Sequence, residues 1–130
     1  MKVQPSEEFL TNIREGIQST RNRLNELKRE RKSLIAEIRE TKNNIRMGEK
    51  HCSTIQNAKL FDATLNSKLD EAQSHLREHL KQSRDDLMVI RHNLLSLDIH
   101  RELELSRFRI LHRELDKMNV PFDPNAKQKG

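Results

Sequence analysis

The chain has 130 residues, of which 35% are charged and 33% hydrophobic, with four Phe and no Trp or Tyr. Globular domains average about 25% charged and about 45–50% apolar residues, so this composition argues against a β-sandwich, a Rossmann domain or an enzyme scaffold with a pocket. The net charge of +5 permits weak attraction to acidic surfaces. The single Cys cannot form an internal disulfide, which leads us to expect a cytoplasmic protein, with the nucleus as the alternative. We find no apolar run that could cross a membrane and no secretory signal in the first ten residues.

Prolines bracket the region that we expect to be helical. One lies just before Ser6, whose hydroxyl can cap a helix N-terminus and is followed by two acidic residues. The other two lie near the C-terminal end, where proline stops a helix because it has no N–H to donate. We therefore predict a short lead at 1–5, a coiled-coil region at 6–119 and a disordered tail at 120–130.

Apolar residues recur with a heptad period from Leu10 to Met118. With Leu10 as position a, 21 of the 32 a and d positions are apolar, compared with 33% of the whole chain. Such a repeat is typical of coiled coils, so we predict an all-α fold built on a long coiled-coil helix that forms homo-oligomers. The expected oligomerisation seam consists of Leu24, Leu27, Leu34, Ile38, Ile45, Leu87, Ile90, Leu94, Leu97 and Leu111.

The heptad pattern weakens at 59–73, where polar residues occupy several a and d positions. One alternative is a single continuous helix, which we favour because a turn has no reason to keep one heptad frame on both sides. The other is an antiparallel helical hairpin that turns near Asn66–Lys68, with Ser67 capping the second helix. That hairpin would place Gly48 opposite Leu87.

A second apolar stripe lies outside the a and d positions in the C-terminal half. Its spacing of seven, four, four and seven residues places it on one face of a helix, and a two-stranded coil does not need it. We expect it to contact another helix, from the chain's own N-terminal arm, a second copy or a different protein. In a hairpin, we expect the stripe to be used within the chain. Its residues are Met88, Leu95, Ile99, Leu103 and Ile110.

A basic stretch at 21–32 is interrupted by two glutamates. It could contact nucleic acid, an anionic membrane or an acidic filament, although the charged exterior of a coiled coil has the same composition. Apolar seam residues within the stretch argue against a basic-zipper DNA reader, and the lack of aromatic residues argues against base stacking. The basic residues are Arg21, Arg23, Lys28, Arg29, Arg31 and Lys32.

His75, Glu78 and His79 match the H-x-x-E-H pattern of inverted zinc metallopeptidases. In that pattern the two histidines bind zinc and the glutamate acts as general base. Here the three residues fall on outward heptad positions, and no obvious third ligand follows them in the sequence. We therefore predict no enzymatic activity, no metal site and no cofactor.

These features favour a non-enzymatic scaffold subunit. Its second stripe would dock a helical protein within a larger assembly, for example a cytoskeletal or trafficking complex. The alternative is a protein that binds an acidic polymer or surface through the basic stretch at 21–32. That alternative predicts an affinity that falls steeply with salt concentration.

Overall fold

A computed structural model describes residues 6–61, 64 and 66–118 of the chain. They form two long helices, α1 at Glu7–Phe61 and α2 at Asn66–Lys117. The all-α prediction is confirmed and the helical hairpin fits, whereas a single continuous helix does not. The predicted lead at 1–5 and tail at 120–130 lie outside the described residues.

Helix α1 begins as its sequence predicts. The Ser6 hydroxyl Oγ accepts a hydrogen bond from the Phe9 N–H at 3.1 Å. The Ser6 carbonyl accepts the first helical hydrogen bond from the Leu10 N–H at 3.1 Å. The cap thus satisfies an amide that would otherwise lack a partner at the helix N-terminus, and Glu7 and Glu8 in the first turn suit the positive end of the helix dipole.

One heptad frame explains burial on both helices. Among the described residues, each buried one occupies an a or d position of the frame that starts at Leu10. The frame passes from α1 to α2 without a shift, since Lys59 and Asn66 are consecutive a positions. Our reason for favouring a continuous helix is therefore wrong, because this turn keeps the frame. The buried residues are Ile13, Ile17, Thr20, Leu27, Gly48, Gln73, Leu80, Ser83, Leu97 and Leu115.

The described residues of the helices pack in two units, and the first comprises residues 6–30 and 96–118. Its core is an aliphatic cluster in which the start of α1 meets the end of α2, as antiparallel packing requires. Thr20 is 1% exposed, and its hydroxyl donates a hydrogen bond to the Gly16 carbonyl at 2.8 Å. The cluster consists of buried Ile13, Ile17 and Leu115, with half-buried Leu10, Phe108, Leu111 and Met118 packed around them.

The second unit comprises the described residues between 31 and 95, which are the end of α1 and the start of α2. Gly48 contacts Leu80, so the predicted pairing of Gly48 with Leu87 is wrong by one heptad. The turn that we predict near Asn66–Lys68 lies beside the break between the helices, since α1 ends at Phe61 and α2 begins at Asn66. Ser67 consequently lies inside the helix and cannot be its N-cap. Because α2 begins at Asn66, the residue opposite Gly48 is one heptad earlier in α2 than predicted.

Candidate interaction surfaces

The predicted oligomerisation seam is already largely covered within one chain. Leu27 and Leu97 are buried, with 1% and 6% of their surface exposed. Leu111 packs against the aliphatic cluster of the first unit. The remaining seam residues are half-buried, namely Leu24, Leu34, Ile38, Ile45, Leu87, Ile90 and Leu94.

A polar network occupies the part of the second unit where the heptad pattern weakens. The Lys59 ammonium Nζ donates a hydrogen bond to Gln73 Oε1 at 2.7 Å and forms an ion pair with Asp70. The Gln73 amide Nε2 donates in turn to Gln56 Oε1 at 3.2 Å. Gln73 is only 5% exposed, so its polar groups depend on these partners. Lys59 and Gln73, which both occupy a positions, are therefore paired with each other across the two helices.

The second apolar stripe remains uncovered in both units. In the first unit Ile99, Leu103 and Ile110 are 54%, 64% and 56% exposed, and they lie on the side of α2 away from its a and d positions. In the second unit Met88 and Leu95 are also exposed. The expectation that a hairpin would use this stripe internally is therefore wrong. We call these five residues the α2 outer stripe.

The basic stretch contains several exposed cations, but acidic side chains of the same helix lie among them. Arg23 lies 3.0 Å from Glu26 and 3.8 Å from Glu30, measured between guanidinium nitrogen and carboxylate oxygen. Arg31 is half-buried and already has an interaction partner. The four other cations are exposed, namely Arg21, Lys28, Arg29 and Lys32.

The H-x-x-E-H residues lie on the exposed side of α2. His75 Nε2 is 3.9 Å from Glu71 Oε1, and Glu78 and His79 are exposed. Among the residues that the structure describes, no group of three or more His, Cys, Asp or Glu side chains could hold a metal ion. The pattern thus places two histidines on one helix without bringing a third ligand to them.

Two apolar features escaped the sequence reasoning. Leu60 and Phe61, the last residues of α1, are 75% and 90% exposed. An open groove in the second unit is lined by Met47, Ile55 and Leu76, among others. Both features include apolar residues outside the a and d positions, namely Met47 in the groove and Leu60 and Phe61 at the end of α1. These residues do not repeat along one helix face as the outer stripe does, so the sequence pattern did not identify them.

Across 6–61 and 66–118, we find no helical segment with the length and apolar character of a membrane span. Comparisons of the chain with protein-family profiles, with curated proteins and with solved structures give no significant match.

Proposed function

We propose that this chain is a non-enzymatic scaffold subunit that binds an α-helix of a protein partner through the α2 outer stripe. The observation that carries this proposal is the exposure of all five stripe residues on a helix whose opposite side is packed against α1. Covering an exposed Leu or Ile side chain completely contributes about 1.5–3 kcal/mol, so a partner that covers the stripe gains free energy.

The spacing of the stripe favours a helical partner over an extended one. Ile99, Leu103 and Ile110 follow one another by four and seven residues, so they form a narrow ridge along α2. A ridge of this kind fits between the side chains of a second helix, as in ridges-into-grooves packing. An extended peptide would instead need an open sheet edge or a groove that reads alternate side chains.

Site-specific photo-crosslinking tests the proposal. A benzoylphenylalanine replaces Leu103 in the outer stripe, and a control replaces Ser19, which occupies the same heptad position on the exposed side of α1. We expect adducts in cells from position 103 but not from position 19, with the crosslinked peptides mapping to helical segments. Equal adduct yields at the two positions would contradict the proposal.

A matched pair of substitutions separates binding from folding in this experiment. Leu95→Ser with Ile99→Ser should abolish the adduct formed from position 103. Because both side chains are exposed, the free energy of unfolding should change by no more than about 0.5 kcal/mol for each substitution. Circular dichroism checks that helicity is unchanged. An adduct that persists in this variant would show that the stripe is not the binding surface.

A further inference from the structure

We propose that the helix bound by the outer stripe is the same helix of a second copy, with the two α2 helices parallel and in register. This inference rests on the proposed function, because it names the partner of that surface. It is drawn from the part of α2 that belongs to the first unit, residues 96–117.

The exposed apolar residues of this segment, together with Ser106, have the spacing of a two-stranded seam. Ile99, Leu103, Ser106 and Ile110 follow one another by four, three and four residues, which is the alternation of d and a positions. This second frame is separate from the one that packs α2 against α1. In a parallel, in-register pair each residue meets its own copy, so the layers at 99, 103 and 110 are aliphatic and those at 96 and 106 are Ser against Ser. Exposed Arg113 and Lys117 occupy the last two layers of the segment.

The charges beside this second frame match a parallel pair. Glu102 and Arg109 occupy g positions on one edge, and Arg107 and Glu114 occupy e positions on the other. In a parallel pair a g residue faces the e residue five positions later on the other helix. Glu102 therefore faces Arg107, and Arg109 faces Glu114. The twofold axis repeats both contacts, which gives attraction on both edges.

These side chains are available for such contacts. Glu102, Arg107 and Arg109 are exposed, and within the described residues none of them forms an ion pair. Glu114 accepts a hydrogen bond from Lys117 Nζ at 3.3 Å within the same helix. That exposed pair does not bury the carboxylate, so Glu114 can also face an arginine of a second copy.

Two antiparallel registers also bring the stripe residues of two copies together, but each has less favourable side-chain contacts than the parallel pair. If Ile99 lies opposite Leu103 of the second copy, Glu102 lies beside its own copy, and two like charges repel. If Glu102 instead lies beside Arg109, Leu103 lies opposite Ser106 and loses its aliphatic partner. Of these three arrangements, the parallel one alone combines aliphatic layers with opposite charges on both edges.

Charge reversal in the full chain tests the pairing. Sedimentation equilibrium measures the dimer dissociation constant of Glu102→Arg, of Arg107→Glu and of their equimolar mixture. Each variant alone places like charges in two symmetric contacts, so we expect its dimer to be weakened roughly four- to thirtyfold. The mixture restores attraction in a heterodimer, and its dissociation constant should return to that of the unmodified chain.

Cysteine crosslinking tests the orientation. In a Cys52→Ser background, Ser106→Cys places the two thiols in the same layer of the parallel, in-register pair, so we expect a rapid interchain disulfide on mild oxidation. Ser19→Cys, on the exposed side of α1, is the control for random collisions. A crosslinking rate at position 106 no faster than at position 19 overturns the parallel arrangement.

The outcomes separate this inference from the proposed function. Photo-adducts from position 103 that join two copies of the chain, together with rescue in the mixture, support both. Adducts with other proteins alone, from a chain that sediments as a monomer at all concentrations, overturn the inference and leave the proposed function standing. No adduct of any kind above the control overturns both.

Discussion

The two units use the same heptad frame with different chemistry. In the first unit the a and d positions hold an aliphatic cluster around Ile17, which is fully buried. In the second unit the buried a and d positions include Gly48, Gln73 and Ser83 beside a single buried leucine, Leu80. A heptad frame therefore determines which positions are buried, but not how much each buried residue contributes to the free energy of unfolding.

Apolar and polar layers contribute differently to the stability and the register of such a seam. An aliphatic layer contributes free energy in proportion to the area that it removes from water, and it tolerates a neighbouring register that is also aliphatic. A polar pair such as Lys59 and Gln73 contributes little net free energy, but each partner is costly to leave unpaired. We infer that the first unit supplies stability and that the second unit fixes the register of the hairpin.

We expect the largest change in the free energy of unfolding from a substitution in the aliphatic cluster of the first unit. Ile17→Ala should lower the free energy of unfolding by about 2–5 kcal/mol, because it removes a fully buried side chain and leaves a cavity. Ile110→Ala, at an exposed position of the same unit, is the control and should change it by no more than about 0.5 kcal/mol. Urea denaturation of dilute protein, followed by circular dichroism, measures both. Similar losses for the two variants would show that the cluster is not the stabilising core.

The next effect concerns the polar network of the second unit. Lys59→Met leaves the buried Gln73 Oε1 without its donor and should cost about 1–3 kcal/mol. Adding Gln73→Leu replaces both partners by apolar groups and should recover most of that loss. Lys68→Met, at an exposed position of α2, should have almost no effect. A double variant as unstable as the sum of the two single variants would show that the pair does not interact.

Much of the fold follows from the sequence, because the heptad positions coincide with the buried residues of both helices. The choice between a continuous helix and a hairpin does not follow, since an a or d position records only that a face is covered and not which helix covers it. The one-heptad error at Gly48 has the same origin. Moving α2 by one heptad leaves the pattern unchanged, so specific contacts such as Lys59 with Gln73 decide the register.

The sequence predicts which residues form the outer stripe, but not whether that stripe is buried or exposed in the folded chain. The spacing of Ile99, Leu103 and Ile110 identified one apolar helix face from the sequence alone. Whether the chain's own arm covers that face depends on the number and placement of helices, which spacing does not encode. Their exposure in the structure supplies that missing information.

Substitution of the two internal glycines by alanine should change the free energy of unfolding least. The change should have opposite signs at the two positions. Alanine is preferred over glycine inside a helix by about 1 kcal/mol, and both positions gain that preference. A Cβ at Gly48 would lie 2.6 Å from Leu80 Cδ2 and 3.2 Å from its Cγ, and Leu80 is itself buried. Overpacking of this kind costs about 1–3 kcal/mol, so Gly48→Ala should destabilise the chain slightly.

At Gly16 the added Cβ would lie 3.3 Å from Leu111 Cδ1, the far end of a half-buried side chain that can shift by a few tenths of an ångström. Gly16→Ala should therefore raise the free energy of unfolding by about 0.5–1 kcal/mol. Thermal denaturation of the two variants beside the unmodified chain measures both signs. If Gly48→Ala also stabilises, the helices of the second unit can separate without loss, and close packing at Gly48 does not hold the register.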